Sequence, residues 1–298
     1  MTCYSPLHGF RGREGKFVFK RSLAVTGQSA VVACGQCIGC RLDRSRSWAL
    51  RCMHEAQLYW DNCFITLTYS NESLPEGETL VLKHFQDFMK RLRSKYEPRI
   101  IRFYACGEYG ELFERPHYHA CLFNFQFADR VPWKKAGSGE MQFRSPSLEK
   151  LWPYGFSSIG SLTWSSAAYC ARYIMQKQTG ANALKYSAHV DPVTGAVYSE
   201  RLPPFNVMSR RPGIGHDWLT KYVKDAYPSD FLVHETRKVS VPRYYDSLFE
   251  RMDGDLEGVR AARRKLGRAF AADRTPERLA VREQVKLARV GRLTRDME

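Results

Sequence analysis

Apolar residues recur at steps of three and four in two stretches of the chain. Trp48, Cys52, Ala56 and Tyr59 form one stripe along Arg44 to Tyr59, with Arg44, Arg46 and Arg51 largely off it. Phe85, Phe88, Met89 and Leu92 form another along Leu82 to Tyr96, where Glu97-Pro98 stops the pattern. Both predict amphipathic helices. Phe64-Ile65-Thr66-Leu67-Thr68-Tyr69 packs β-branched and aromatic residues into a short run, which predicts a strand closed by the loop signals Asn71, Pro75 and Gly77. Ile100 to Cys106 and Pro116 to Phe125 read as two more strands, joined by a polar hairpin loop from Tyr109 to Arg115. Residues 126 to 163 read as irregular apart from a strand around Phe156 to Leu162. Ser165 or Ser166 can then cap a helix running to about Gln178, which Gly180 would end. The order of elements predicts an α+β fold, a compact antiparallel sheet with helices packed on it.

Patterning weakens beyond residue 181. Pro203 to Gly215, with Arg210 and Arg211, reads as a basic loop, and Asp217 to Tyr227 as a short helix. From Arg251 on, the chain is rich in Ala, Arg, Leu and Glu, helical by propensity but weakly amphipathic, which predicts a basic tail that is helical or partly disordered. The implied division is an N-terminal arm, cysteine knuckle and basic helix over residues 1–60 packed on the core, a central domain over 61–245, and the tail over 246–298. No apolar run reaches the roughly 18 residues of a membrane span, and no secretory signal opens the chain. A cytosolic protein is expected.

Charge narrows the class. Forty-six Lys and Arg against 31 Asp and Glu leave a formal net charge of +15, which points to an acidic polymer as partner. Aromatic residues interleaved with the basic ones favour nucleic acid, since rings stack on unpaired bases. The nine cysteines are an odd number, and Cys52, Cys63, Cys106, Cys121 and Cys170 sit singly in apolar segments, the usage of a reducing compartment. Cys34-Gly35-Gln36-Cys37-Ile38-Gly39-Cys40 differs. Its thiols at three-residue spacing can wrap a tetrahedral Zn²⁺ if Cys3 supplies the fourth ligand, or can remain three reduced thiols in a turn.

Candidate chemistry lies in two places. On a strand, His117 and His119 share a face about one pleat repeat apart, within reach of one divalent ion, although an isolated His-x-His is more often structural. The strand ending at Glu108 should pair with the histidine strand. Glu108 is therefore the first choice for a third ligand, with Glu111 and Glu114 as alternatives. Two imidazoles and a carboxylate suit Mg²⁺ or Mn²⁺ bridged to a phosphate oxygen better than a closed zinc site. On the last predicted helix, steps of four put Tyr169, Tyr173 and Lys177 on one stripe. Such a stripe is more often packing than catalysis. A tyrosine with a free pKa near 10 needs a metal-polarised phosphate and a nearby lysine to act as a phosphoryl acceptor.

The strings CGQCIGCRLDRSRSWALRCMHEAQ, FITLTY, GEYG, RPHYHACLFN, AAYCARYIMQK and MSRRPGIG together closely resemble the rolling-circle replication initiators of small single-stranded DNA bacteriophages, in particular the gokushovirus-type microviruses. The resemblance covers most of residues 1 to 245. It implies an HUH endonuclease, named for His117-Tyr118-His119, built on a five-stranded antiparallel sheet of ferredoxin-like or RRM-like kind with the metal on its face. It implies Tyr169 and Tyr173 as the paired nucleophiles, with Lys177 beside them less secure. The implied reaction nicks and religates the phage origin, on single-stranded or supercoiled DNA, through a 5′-phosphotyrosyl adduct and a free 3′-OH that a host polymerase extends in the bacterial cytoplasm. No G-x-x-x-x-G-K-[ST] string occurs, so a host helicase is expected to open the duplex. Arg44, Arg46, Arg51, Arg115, Arg172, Arg210 and Arg211 are the candidate DNA contacts.

A zinc-knuckle nucleic-acid-binding protein without catalysis is the alternative. Basic charge and the cysteines suit both readings. The co-occurrence of His-x-His with Tyr-x₃-Tyr-x₃-Lys discriminates between them, because binding alone does not require it.

Overall fold

In the computed structural model the described residues are 3–110, 114–137, 139–176, 188–190 and 194–292. They divide into two compact units, one including Met1–Arg44 and Glu257–Thr294, the other Ser45–Leu256.

The first unit opens with a three-stranded antiparallel sheet of β1 (Leu7–Arg11), β2 (Phe17–Val18) and β3 (Ser29–Val32), in the order β2-β1-β3. The pairs Phe10↔Val18 and Leu7↔Val32 set its register. Gly9 is required by close approach, because a Cβ there would stand 2.5 Å from the Val18 carbonyl oxygen and 2.6 Å from the Phe17 ring. Helix α1 (Ile38–Ala56) begins at the cysteine knuckle, six residues before the start its apolar stripe predicts.

The second unit is built on a seven-stranded, wholly antiparallel sheet: β4 (Asn62–Tyr69), β5 (Arg102–Tyr109), β6 (Pro116–Phe123), β7 (Val131–Lys135), β8 (Met141–Arg144), β9 (Gly155–Gly160) and β12 (Phe205–Met208). Its order is β12-β5-β6-β4-β9-β8-β7, two strands more than the resemblance implied. The first extra strand, β12, lies inside the segment expected to be a loop and pairs with β5 at one edge. The others fall in the segment expected to be irregular. There β7 and β8 form an edge hairpin with a register shift at Pro132, a common device for blunting an exposed edge. The same segment holds α3 (Pro146–Leu151), whose cap Ser145 accepts a hydrogen bond from the Leu148 N–H at 3.2 Å. Between α4 (Trp164–Gln176) and β12, a hairpin pairs β10 (Ala188–Val190) with β11 (Val197–Glu200).

Strand alternation separates two faces of the large sheet. One buries Ile65, Leu67, Tyr69, Tyr118 and Ile159 against Phe85, Phe88, Met89 and Leu92 of α2 (Leu82–Lys95) and Leu148 and Leu151 of α3. The other buries Phe64, Tyr104, Cys121 and Phe123 against Ala49, Cys52 and Ala56 of α1 and Ala167, Cys170 and Ala171 of α4. The helices cover only part of this second face.

Polar groups are also buried in this unit. Arg102 Nε donates to Glu55 Oε1 at 2.5 Å, its other terminus donates to the Pro212 carbonyl at 2.9 Å, and Glu55 Oε2 accepts the Gly215 N–H at 2.7 Å. This network ties the 210–215 loop to α1 and β5. Arg51, expected to contact DNA, is instead turned inward. Its guanidinium lies 3.9 Å from the Trp48 ring and 4.0 Å from the Tyr244 ring, and it donates to the Ile214 carbonyl. It serves the fold, because a group so enclosed has no face left for phosphate.

The chain continues through α5 (His216–Lys221), α6 (Val223–Ala226), the hairpin β13 (Phe231–His234) and β14 (Arg237–Ser240), and α7 (Arg243–Arg251). Beyond it lie α8 (Leu256–Ala269) and α9 (Pro276–Gly291), the latter capped by Thr275, which accepts the Arg278 N–H. The tail residues up to Gly291 are thus largely helical, each helix presenting mostly exposed residues.

His54 of α1 stacks on Trp218 with ring centroids 3.5 Å apart and hydrogen-bonds the Tyr245 hydroxyl at 2.9 Å. Burial first, and the nearby His234 second, bring its pKa from 6.5 down to about 3. Below pH 6.5 the unfolded chain therefore takes up a proton that the folded chain refuses. This group's contribution to stability is complete above pH 6.5 and falls by about 1.4 kcal/mol per pH unit as pH drops toward 3. Urea unfolding from pH 7 to 4 should give a shallower loss of stability for His54→Asn than for wild type, and equal slopes would refute the assignment.

Candidate functional site

Register builds the site. Glu108 of β5 stands opposite His117 of β6, His117 opposite Thr68 of β4, and Thr68 opposite Phe156 of β9, so these four residues form one row across the sheet. The next row on the same face runs Cys106, His119, Thr66, Ser158. Alternation thus turns both histidines and Glu108 toward one side, as their spacing predicts. The ring atoms His117 Nε2 and His119 Nε2 lie 3.0 and 2.9 Å from Glu108 Oε1.

The surroundings orient these rings. The Arg115 carbonyl can only accept, so the Nδ1–H of a neutral His117 donates to it at 3.0 Å and leaves the Nε2 lone pair facing the carboxylate. Thr66 Oγ1 holds His119 Nδ1 at 2.9 Å. A lone pair against a carboxylate oxygen is repulsive unless a cation lies between them, and the Oε2 atom of Glu108 is buried with no hydrogen-bond partner among the described residues. Burial pushes the Glu108 carboxyl up, but hydrogen bonds from the two imidazoles outweigh it and hold the group below the usual carboxylate range. A divalent ion fits this donor set. Edges of 2.9 and 3.0 Å are close to the ~3.0 Å edge of an octahedron of ~2.1 Å bonds. Bonds to the same ring nitrogens and carboxylate oxygen at ~2.1 Å in a tetrahedron would require edges of ~3.4 Å.

Of the alternative carboxylates, Glu114 is engaged elsewhere, with its Oε2 2.7 Å from Arg201. Glu111 lies outside the described residues. Thr66, absent from the expected site residues, had a detectable signal: in FITLTY, Phe64, Thr66 and Thr68 alternate with Ile65, Leu67 and Tyr69, placing the hydroxyls on the histidine face.

Helix α4 is fixed at its start by a reciprocal cap, not by Ser165 or Ser166 alone. The Thr163 N–H donates to Ser166 Oγ at 2.8 Å, and the Ser166 N–H donates to Thr163 Oγ1 at 3.3 Å. Asn206 Nδ2 of β12 donates to the Cys170 carbonyl at 2.9 Å, bracing the helix against the edge strand. The Tyr169 ring consequently meets the His119 imidazole edge-on, with centroids 4.9 Å apart, and Arg172 Cζ lies 5.6 Å from the Tyr169 ring. Tyr173 follows one helical turn later. Lys177 lies outside the described residues.

Among the other candidate DNA contacts, Arg44, Arg210 and Arg211 are exposed. Arg46 donates to Ser240, and Arg115 donates to the Tyr69 carbonyl and to Asn71.

In the first unit Cys3, Cys34, Cys37 and Cys40 cluster, all four sulfurs lying within 4.8 Å of one another. Cys3–Cys34, Cys3–Cys37 and Cys34–Cys40 are 3.6, 3.9 and 4.0 Å apart. These separations are too long for a disulfide and bracket the ~3.8 Å edge of a tetrahedron with ~2.3 Å Zn–S bonds. Backbone N–H groups point at the sulfurs, from Tyr4 to Cys37 and from Cys34 to Cys3, each at 3.3 Å, a pattern that favours thiolates. The four residues fit Zn²⁺.

Known proteins share much of this sequence. A family model that describes replication-associated proteins of the ORF2 type matches residues 62–179, the stretch that contains Glu108, His117, His119, Tyr169 and Tyr173. The replication-associated protein VP4 of Bdellovibrio phage phiMH2K is 30% identical over 260 residues, covering 84% of this chain and 78% of the relative. Replication-associated protein ORF2 of Spiroplasma virus 4 is 32% identical over 252 residues, covering 80% and 74%. Replication-associated protein ORF4 of Chlamydia phage 1 is 24% identical over 245 residues, covering 78% and 58%. No solved structure matches the chain. No helix among the described residues is long and apolar enough to cross a membrane. With its relatives matched over most of their length and the family model falling on the strands and helix that carry the site, the chain belongs to the replication-associated proteins of microvirus-type phages.

Proposed function

We propose that the protein is an HUH endonuclease that starts rolling-circle replication by nicking one strand of the phage origin through tyrosine transesterification, with residues 61–245 as the nicking domain. The observation that carries this reading is the convergence of Glu108, His117 and His119 on an open part of one sheet face, with the Tyr169 ring 4.9 Å from His119. Mg²⁺ or Mn²⁺ held by these three residues would polarise the scissile phosphate. Thr66 and the Arg115 carbonyl fix the two rings in the orientation this requires.

The tyrosine oxygen forms a bond to phosphorus, the bond to the 3′ oxygen breaks, and the phenol proton ends on that oxygen. The products are a 5′-phosphotyrosyl link and a 3′-OH that a host polymerase extends after a host helicase opens the duplex. The same exchange in reverse rejoins the strand after a round. Exposed Arg44, Arg210 and Arg211 offer positive charge to the phosphate backbone, whose contribution to affinity does not depend on the metal. Zn²⁺ bound by the four cysteines would act structurally.

The test uses single strands tiled across the phage genome, labelled at the 3′ end because that fragment carries the 5′-phosphate. With Mn²⁺ or Mg²⁺, wild type should form a covalent adduct with one tile. Tyr169→Phe and Tyr173→Phe should each retain some initial nicking but fail in repeated rounds, and the double variant should form no adduct. The absence of any adduct with wild type would sink the nicking reading. If one single variant lost all cleavage while the other matched wild type over many rounds, one tyrosine would suffice.

A further inference from the structure

We infer that Phe156 is a stacking platform for one unpaired base of the strand being cut, an assignment that rests on the DNA-nicking reading above. A single exposed phenylalanine is ordinary on a protein surface. Its place in the Glu108–His117–Thr68–Phe156 row is what sets Phe156 apart. The side chain is 66% exposed, although β9 is flanked by β4 on one side and β8 on the other. Alternation turns it to the face that carries the two histidines. Adjacent strands lie about 4.8 Å apart, so Phe156 stands roughly 10 Å across the sheet from His117, the rise of about three stacked nucleotides. The other end of this face is closed by α1 and α4 over Phe64, Tyr104 and Phe123. A strand whose phosphate lies at the histidines can therefore extend along the face toward Phe156.

The position is also held firmly. Gly155 has φ +148° and lies so close to β4 that a Cβ would stand 2.2 Å from the Ser70 nitrogen, and the Ser70 N–H donates to the Tyr154 carbonyl at 2.9 Å. The backbone entering β9 is thus pinned immediately before the exposed ring. A rigid, solvent-facing aromatic beside a phosphate site, on a chain of net charge +15, matches the combination used to bind single-stranded nucleic acid. Trp60, which is fully exposed, provides the contrast, because it precedes β4 at the end of the ladder away from the histidines.

The experiment measures binding in EDTA, where no cleavage occurs, so it does not depend on catalysis. The tile bound most tightly is prepared as a set of strands, each abasic at one position. For wild type, one position should cost roughly 10-fold in Kd when its base is removed. Phe156→Ala should bind the intact strand roughly 10-fold more weakly and lose sensitivity at that same position, while Phe156→Trp and Trp60→Ala should keep the wild-type profile. A flat profile for wild type, or a profile that Phe156→Ala leaves unchanged, overturns the assignment. A position-specific profile in a protein that forms no adduct with metal would instead leave the stacking site standing and refute the nicking reading.

Discussion

Replacing both strand histidines, as His117→Ala with His119→Ala, is expected to reduce covalent adduct formation on the order of 1,000-fold or more, because several kcal/mol of charge stabilisation at the phosphate depend on those two ring nitrogens. Affinity for the single strand, measured by fluorescence anisotropy in EDTA, should change by only a few fold, since it is distributed over many basic contacts. Glu108 is fully buried, so the double variant leaves a carboxylate without its imidazole partners and should lose stability. A further variant that adds Glu108→Gln removes that charge, and its thermal unfolding separates lost chemistry from lost fold. Glu108→Ala alone should raise the metal concentration needed for cleavage more than Glu114→Ala does, because Glu114 is paired with Arg201. Adduct formed at the wild-type rate by the double variant, or in EDTA by wild type, would remove the metal mechanism.

The second large effect is expected at the cysteine cluster. Wild-type protein purified without chelator should carry one zinc per chain by mass spectrometry, and Cys37→Ser should carry none. Binding of structural zinc contributes about 10–16 kcal/mol in zinc-finger peptides, more than the three short strands of the first unit could replace. Hydrogen exchange across Leu7–Val32 should therefore become fast in Cys37→Ser and in chelated wild type. Cys63→Ala, at a buried cysteine remote in sequence from the knuckle, should leave zinc content unchanged. Zinc content equal in Cys37→Ser and wild type, or absent from wild type, would refute the site.

A replication protein that separates affinity from chemistry in this way has a practical consequence. Substitutions at exposed arginines such as Arg210 and Arg211 act through binding and salt dependence, whereas substitutions in the Glu108–His117–His119 cluster act on the cleavage step. The inward turn of Arg51 shows why charge alone does not sort residues into the first group. Its ring contacts and the Ile214 carbonyl make it part of the core.

The sequence by itself determined the long periodic elements and the local chemistry. Helix α2 and strands β4, β5 and β6 follow from their apolar spacing, since eight or more residues of one period leave few alternatives. The facing of His117 and His119 follows from strand alternation, and Glu108 from the pairing of β5 with β6. The edge strands β7, β8 and β12 were not legible. Each has only four or five residues, prolines lie within or beside two of them, and such segments become strands only when a neighbouring edge offers its hydrogen bonds. Nor could the sequence separate buried polar groups from surface ones. Glu55, Arg102 and His54 look like solvated residues until partners tens to more than a hundred positions away, Pro212, Gly215, Trp218 and Tyr245, close around them. The tertiary structure alone decided that Thr66 holds His119, that Tyr169 meets the same ring, and that Phe156 ends the row that begins at Glu108. These contacts join strands and a helix distant along the chain, and the register that creates them is set by packing of the whole sheet, which no local window of residues contains.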